Sequence, residues 1–130
     1  MSTVRLSGGF KVKRKHLAVE IGSGTLPVLA TPALIGFMEN IASDLTQKDL
    51  EPKRTSVGIF ITMEHIKPAR YKDEVRIECD LISVEKNIVT YEIEAFCRDE
   101  LIGKALHKRA VIDRKTFEDK YNIFNKKRRQ

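Results

Sequence analysis

Thr31, Glu39 and His65 supply a hydroxyl, a carboxylate and an imidazole, the side-chain types from which acyl groups are split. A hydroxyl attacks an activated carbonyl when a base takes its proton, and imidazole is the usual base near neutral pH. Thr31-Pro32 opens an apolar stretch, Glu39 stands eight residues on, and Glu64-His65 closes a strand-like run. Eight residues of straight helix advance about 12 Å, too far for Thr31 and Glu39 to hydrogen-bond directly. If both serve one reaction, either substrate lies between them or a second subunit supplies one.

Each residue also has a plain structural reading. Thr31 suits a helix N-cap, with Pro32 at the first helical position. A hydroxyl there lies beside free N–H groups and positive dipole charge, which would also hold a carbonyl oxygen as it becomes negative. Glu39 borders the apolar stripe, as an ion-pairing edge residue or as a base for water or Thr31. His65 ends a strand, as a structural hydrogen-bonder or as a general acid and base. Glu64 points to the opposite face and receives no role. Gly58 is a strand glycine or bulge, or a point where substrate approaches the backbone closely. His107 and Arg109 share one strand face, and Arg109 is a surface charge or the holder of a phosphate or carboxylate. His16, near Lys13-Arg14-Lys15, reads as part of a solvated charged face.

The elements that position these groups follow from periodicity. Residues 4–15 read as a first strand with a possible bulge at Gly8-Gly9, and Gly22-Ser23-Gly24 as a loop. Residues 32–46 read as a helix whose stripe is Leu34, Met38, Ile41 and Leu45, widened by Ile35, Phe37 and Ala42. Residues 55–66 form a strand with Val57, Ile59, Ile61 and Met63 in one phase. Residues 74–84 and 88–98 alternate, with a turn at Lys86-Asn87. Asp99-Glu100 marks the next turn, 102–112 a last long strand, and Thr116 caps a short helix from Phe117. One helix followed by antiparallel strands is an α+β pattern, and one helix on a wide sheet leaves apolar surface for a dimer.

The 130 residues fit one domain. Residues 1–117 carry the domain, and 118–130 a basic helix or tail continuing it. No window reaches the ~18 uninterrupted apolar residues of a membrane span, and no signal peptide is apparent, so a cytoplasmic protein is expected. Cys79 and Cys97 fit no metal spacing and read as buried reduced thiols. The net charge of +6 is concentrated late: residues 104–130 hold 10 Lys/Arg against 3 Asp/Glu, ending in Lys126-Lys127-Arg128-Arg129. Such a tail is a solvated end, and with 7% aromatics and no Trp no specific nucleic-acid binding is expected.

Gly22 to Glu39, with its Ala30-Thr31-Pro32 core, resembles the central-helix entry of the fluoroacetyl-CoA thioesterase-like branch of the hotdog fold. Thr55-Ser56-Val57-Gly58 followed by Glu64-His65-Ile66-Lys67-Pro68 is similar to a second signature of that branch. Gly103-x-x-x-His107-x-Arg109 resembles its last-strand signature, and the likeness runs from about residue 8 to Phe117. The resemblance implies a five-stranded antiparallel sheet wrapped around one long helix. It implies dimers, a higher oligomer left open, with acyl-CoA bound near the subunit interface. It implies hydrolysis of a short acyl-CoA without metal or cofactor, with Thr31, Glu39 and His65 catalytic and with Gly58 and Arg109 at the substrate.

Hydrolysis of an acyl-CoA thioester is therefore the expected function. A non-catalytic acyl-CoA-binding hotdog module and an enoyl-CoA hydratase stand as alternatives, the latter weakened by the lack of an Asp and His pair near the helix. No Walker motif or G-x-G-x-x-G is present, so a CoA site would depend on surface Lys/Arg and shape.

Overall fold

The computed structural model describes residues 4–124. The basic run Lys126 to Arg129 lies outside the described residues. The chain forms β1 (Arg5–Lys11), a 3-10 turn (Arg14–His16), α1 (Ala18–Ile21) and α2 (Thr31–Gln47). β2 (Arg54–His65), β3 (Glu74–Glu85), β4 (Ile88–Cys97), β5 (Glu100–Asp113) and α3 (Arg114–Tyr121) follow.

All strand pairs are antiparallel, in the order β1-β3-β4-β5-β2. β1 and β2, consecutive in sequence, thus lie on opposite edges, and α2 joins them across one face of the sheet. Its stripe is the expected one: Leu34, Met38 and Leu45 are fully covered and Ile41 nearly so. They meet the inward rows of β3 and β4, including Val75, Ile77, Cys79, Val89, Tyr91, Ile93 and Ala95. Burying each large aliphatic side chain stabilises the fold by roughly 1.5–3 kcal/mol before entropy is counted. The buried Thr46 hydroxyl donates to the Ala42 carbonyl at 2.7 Å and pairs with the Tyr91 hydroxyl, so neither polar group is orphaned in the core. Cys79 and Cys97 are free and buried, as expected of reduced thiols.

Local chemistry moves several boundaries. Gly8 and Gly9 pair in regular register with Ile77 and Arg76, with no bulge. Gly8 is needed for close packing instead, since a Cβ there would lie 2.3 Å from Cδ1 of Ile41. The β4–β5 turn is Arg98-Asp99, both at positive φ, which a tight two-residue hairpin demands. Glu100 already pairs with Cys97, so β5 begins before residue 102. Asp113 rather than Thr116 caps α3, its carboxylate accepting from the Thr116 N–H at 3.0 Å. The helix therefore starts at Arg114.

β2 departs most from simple alternation. Its register against β5 shifts between Gly58 and Phe60. Ser56 and Gly58 face α2 before this bulge, and Ile61, Met63 and His65 face it afterwards, opposite His107, Ala105 and Gly103. Val57 and Ile59 are turned to the outer face, beside Phe117 and Tyr121 of α3. A single phase from Val57 to Met63 is thus broken by one extra residue. Among the described residues no helix is long and apolar enough to cross a membrane.

Candidate active site

The segment before α2 is tied down by backbone pairing. Leu17 bridges Leu29 and Val28 bridges Arg70, while the Ala30 N–H donates to the His16 carbonyl at 2.8 Å. Ala30 is the N-cap, Thr31 the first helical residue and Pro32 the second. The Thr31 hydroxyl makes no capping bond. It lies instead 2.8 Å from Nδ1 of His65, at the end of β2. His65 stands opposite Gly103, where the lack of a side chain lets Leu34 pack close.

His65 Nε2 is buried and has no hydrogen-bond partner. Burial pushes the imidazole below its ordinary range, opposed by a weaker backbone contact from Lys67. The ring is therefore neutral near pH 7. With Nδ1 accepting the Thr31 proton, Nε2 carries the hydrogen. The pair opens onto a cleft of about 380 Å³ lined by Ala18, Leu29, Thr31, Pro32, His65 and Lys67. The Thr31 and Ala33 N–H groups fall in the first turn and lack partners in the helix ladder, and Pro32 has none to offer. This end of the cleft thus combines a hydroxyl, a base and donors for a developing oxyanion.

Glu39 belongs to a second cluster, two turns along α2. Its Oε2 is 4.0 Å from Nη1 of Arg109, and a Cβ on Gly58 would come within 2.7 Å of the same oxygen. Arg109 is buried, and each of its nitrogens makes one hydrogen bond: Nε to the Ser56 hydroxyl at 2.8 Å, Nη2 to the Ser56 carbonyl at 3.3 Å, and Nη1 to Nε2 of His107 at 3.1 Å. His107 donates through Nδ1 to the Phe60 carbonyl at 2.8 Å, beside the β2 bulge. Burial pushes the His107 ring down and the Arg109 charge adds to this, against raising contributions from the Phe60 carbonyl and Glu39. Arg109 thus faces a carboxylate, one of the two partners its position suggested.

The five residues singled out in the sequence fall into two groups. Thr31 and His65 meet, as do Glu39, Gly58 and Arg109, and the helical separation of Thr31 from Glu39 keeps the groups apart within one chain. Sequence reasoning missed Ser56 and left His107 without a partner. The available signal was a small polar residue two positions before Gly58, on the same strand face as that glycine.

One long helix laid across a five-stranded antiparallel sheet, with a hydroxyl and imidazole paired at its N-terminal end, defines a hotdog-fold thioesterase. The profile of the fluoroacetyl-CoA-specific thioesterase family matches residues 12–115, and the chain belongs to this family. Its activity is acyl-CoA thioester hydrolysis. A solved structure of the fluoroacetyl-CoA thioesterase FlK is 25% identical, with a TM-score of 0.87, covering 96% of this chain and 98% of that one. A second FlK structure, a mutant in complex with fluoroacetate and CoA, is 25% identical with a TM-score of 0.84, covering 90% and 99%. A thioesterase superfamily member from Thermus thermophilus, 18% identical with a TM-score of 0.86 over 98% and 94% of the two chains, shares the fold. No curated protein shows significant sequence similarity to the chain.

Proposed function

We propose that the chain hydrolyses a short-chain acyl-CoA to the free acid and CoA, with Thr31, Glu39 and His65 as the catalytic residues. The observation that carries the reading is the 2.8 Å contact between the Thr31 hydroxyl and Nδ1 of His65 at the mouth of α2. Thr31 Oγ attacks the thioester carbonyl while His65 Nδ1 takes its proton. First-turn N–H groups hold the oxyanion. Collapse breaks the carbon–sulfur bond, and the CoA thiolate leaves with the proton from His65. Water then cleaves acyl-Thr31, giving its proton to a base and restoring the hydroxyl. In the alternative course Thr31 orients a Glu39-activated water that attacks directly. An acyl-Thr31 adduct trapped by mass spectrometry distinguishes the two.

Gly58 and Arg109 hold the acyl end in this proposal. Gly58 leaves a gap bordered by Glu39, Arg109 and His107 that any side chain would fill. The separation of this gap from Thr31 supports a composite site, in which one subunit's Glu39 cluster faces the Thr31 and His65 of another. Two features support a homodimer. β2 is a 12-residue edge strand carrying exposed Ile59 and Phe60, and the helix face of Pro32, Gly36 and Asn40 is open. The resemblance to the relative crystallised with fluoroacetate and CoA supports a small acyl group. Two free cysteines suit a cytosolic location.

The test is turnover of acetyl-, propionyl- and fluoroacetyl-CoA followed by thiol release, with light scattering for the dimer. Thr31→Ala and His65→Ala are each expected to lower kcat/KM by about 100-fold or more while remaining folded. Unchanged turnover in both overturns the assignment.

A further inference from the structure

A basic and aromatic surface lies beside the lead-in to α2, outside both clusters of the candidate active site. The guanidinium of Arg14 sits over the Tyr71 ring, 4.8 Å from its centroid, and Nζ of Lys72 lies 5.5 Å from the same centroid. Lys13 and Lys15 flank Arg14, and all four cations are exposed. Lys72 has a left-handed backbone, φ 74°, held by its N–H bond to the Val12 carbonyl at 2.8 Å. That bond brings the Arg70–Asp73 turn against the residues leading into Lys13.

These cations are not consumed by structure. Among the described residues none of Lys13, Arg14, Lys15 and Lys72 forms an ion pair with a carboxylate. The nearby Asp73 is taken by Arg98 and Arg70. Their field is felt locally: Lys13 and Lys15 add to burial in pushing His16 below its ordinary range. The patch is also tethered to the mouth of the helix. His16 accepts from the Ala30 N–H, one residue before Thr31, and Arg70 bridges Val28, which lines the cleft.

Building on the acyl-CoA reading above, we infer that Lys13, Arg14, Lys15, Tyr71 and Lys72 form the docking site for the nucleoside-phosphate end of the CoA substrate. The chain has no glycine-rich phosphate loop, so the phosphates must be met by side chains. Arg14, Lys13 and Lys15 present clustered charge to the diphosphate and 3′-phosphate. The Arg14 guanidinium plane and the Tyr71 ring offer flat faces on which a purine stacks. The pantetheine arm then runs past Val28 into the cleft, with the thioester at Thr31. The patch binds the substrate's handle, common to every acyl-CoA, and leaves acyl selectivity to the Gly58 gap.

The experiment compares acetyl-CoA with S-acetyl-N-acetylcysteamine, a thioester lacking the nucleotide, in wild type and in an Arg14→Ala/Lys72→Ala double variant. Circular dichroism monitors the fold, and calorimetry measures binding of adenosine 3′,5′-bisphosphate to both proteins. The wild-type preference for acetyl-CoA, as a ratio of kcat/KM values, is expected to fall about tenfold in the variant, with bisphosphate affinity reduced in parallel. Wild-type bisphosphate affinity should also weaken as salt is raised. An unchanged preference with equal bisphosphate binding by the two proteins overturns the inference. If neither thioester is turned over, the hydrolysis reading fails, while the bisphosphate titration still decides whether this patch binds the nucleotide.

Discussion

Thr31 Oγ1 and His65 Nδ1 lie 2.8 Å apart although 34 residues separate them in the chain. The contact joins the first residue of α2 to the last of β2. Its geometry spends the Thr31 hydroxyl on the imidazole rather than on the helix cap. The sign of the His65 shift then sets the pH behaviour. Burial disfavours the imidazolium, so the folded ring protonates below the ordinary value of 6.5. A base must be neutral to act. The rate is therefore expected to rise with pH along an acid limb centred below 6.5 and to be level across neutral pH. A kcat/KM profile from pH 4.5 to 8 with fluoroacetyl-CoA checks this, and a limb centred above 6.5 would contradict it.

Gly58→Ala tests the second cluster. The backbone at Gly58 tolerates a side chain, but the new Cβ would meet Glu39 Oε2 at 2.7 Å and Arg109 Nη1 at 3.3 Å. The Glu39 carboxylate is the flexible partner and moves first. We expect kcat/KM to fall about tenfold or more, with a stability loss of only about 1 kcal/mol. Kinetics alongside urea unfolding separate the two effects.

His107 and Arg109 should matter for stability as a unit. Removing the ring with His107→Leu strands the Phe60 carbonyl and one Arg109 donor, at a cost of about 1–3 kcal/mol, and His107→Gln should lose less. The folded His107 pKa is depressed, so the unfolded chain binds more protons below 6.5. The stability it confers is complete above 6.5 and is lost as pH falls through the folded value; His16 and His65 act in the same direction. Thermal midpoints measured from pH 7.5 to 5 should decline, with a shallower slope in His107→Gln.

Cys79 should be inert in the folded protein. Burial among the core residues pushes its thiol up to about 12. Titration with a chromogenic disulfide at pH 8 should show slow or no reaction until denaturant is added, after which two thiols per chain react. Rapid labelling of the native protein would contradict the buried placement.

Much of the fold was legible in the residues. The stripe Leu34, Met38, Ile41 and Leu45 announced which side of α2 is buried. The alternation of β3 and β4 announced a half-buried sheet, because side-chain direction follows strictly from helical and strand periods. β2 was not legible in the same way. A bulge changes which face a residue occupies without leaving a distinct composition, so Val57 and Ile59 read in one phase with Ile61 and Met63, whereas Ser56 and Gly58 face α2 before the bulge. The caps shifted for a similar reason. Asp113 and Thr116 can both end a strand and begin a helix, and only the observed carboxylate-to-amide bond chooses between them.

The sequence by itself determined the residue types at Thr31, Glu39, Gly58, His65 and Arg109, and the helical spacing that keeps Thr31 from Glu39. Only the tertiary structure decided how they group, because that depends on contacts across long separations. It set Thr31 against His65 through the helix and strand termini. It also packed Arg109 between Ser56, His107 and Glu39 around a glycine with no side chain to obstruct them.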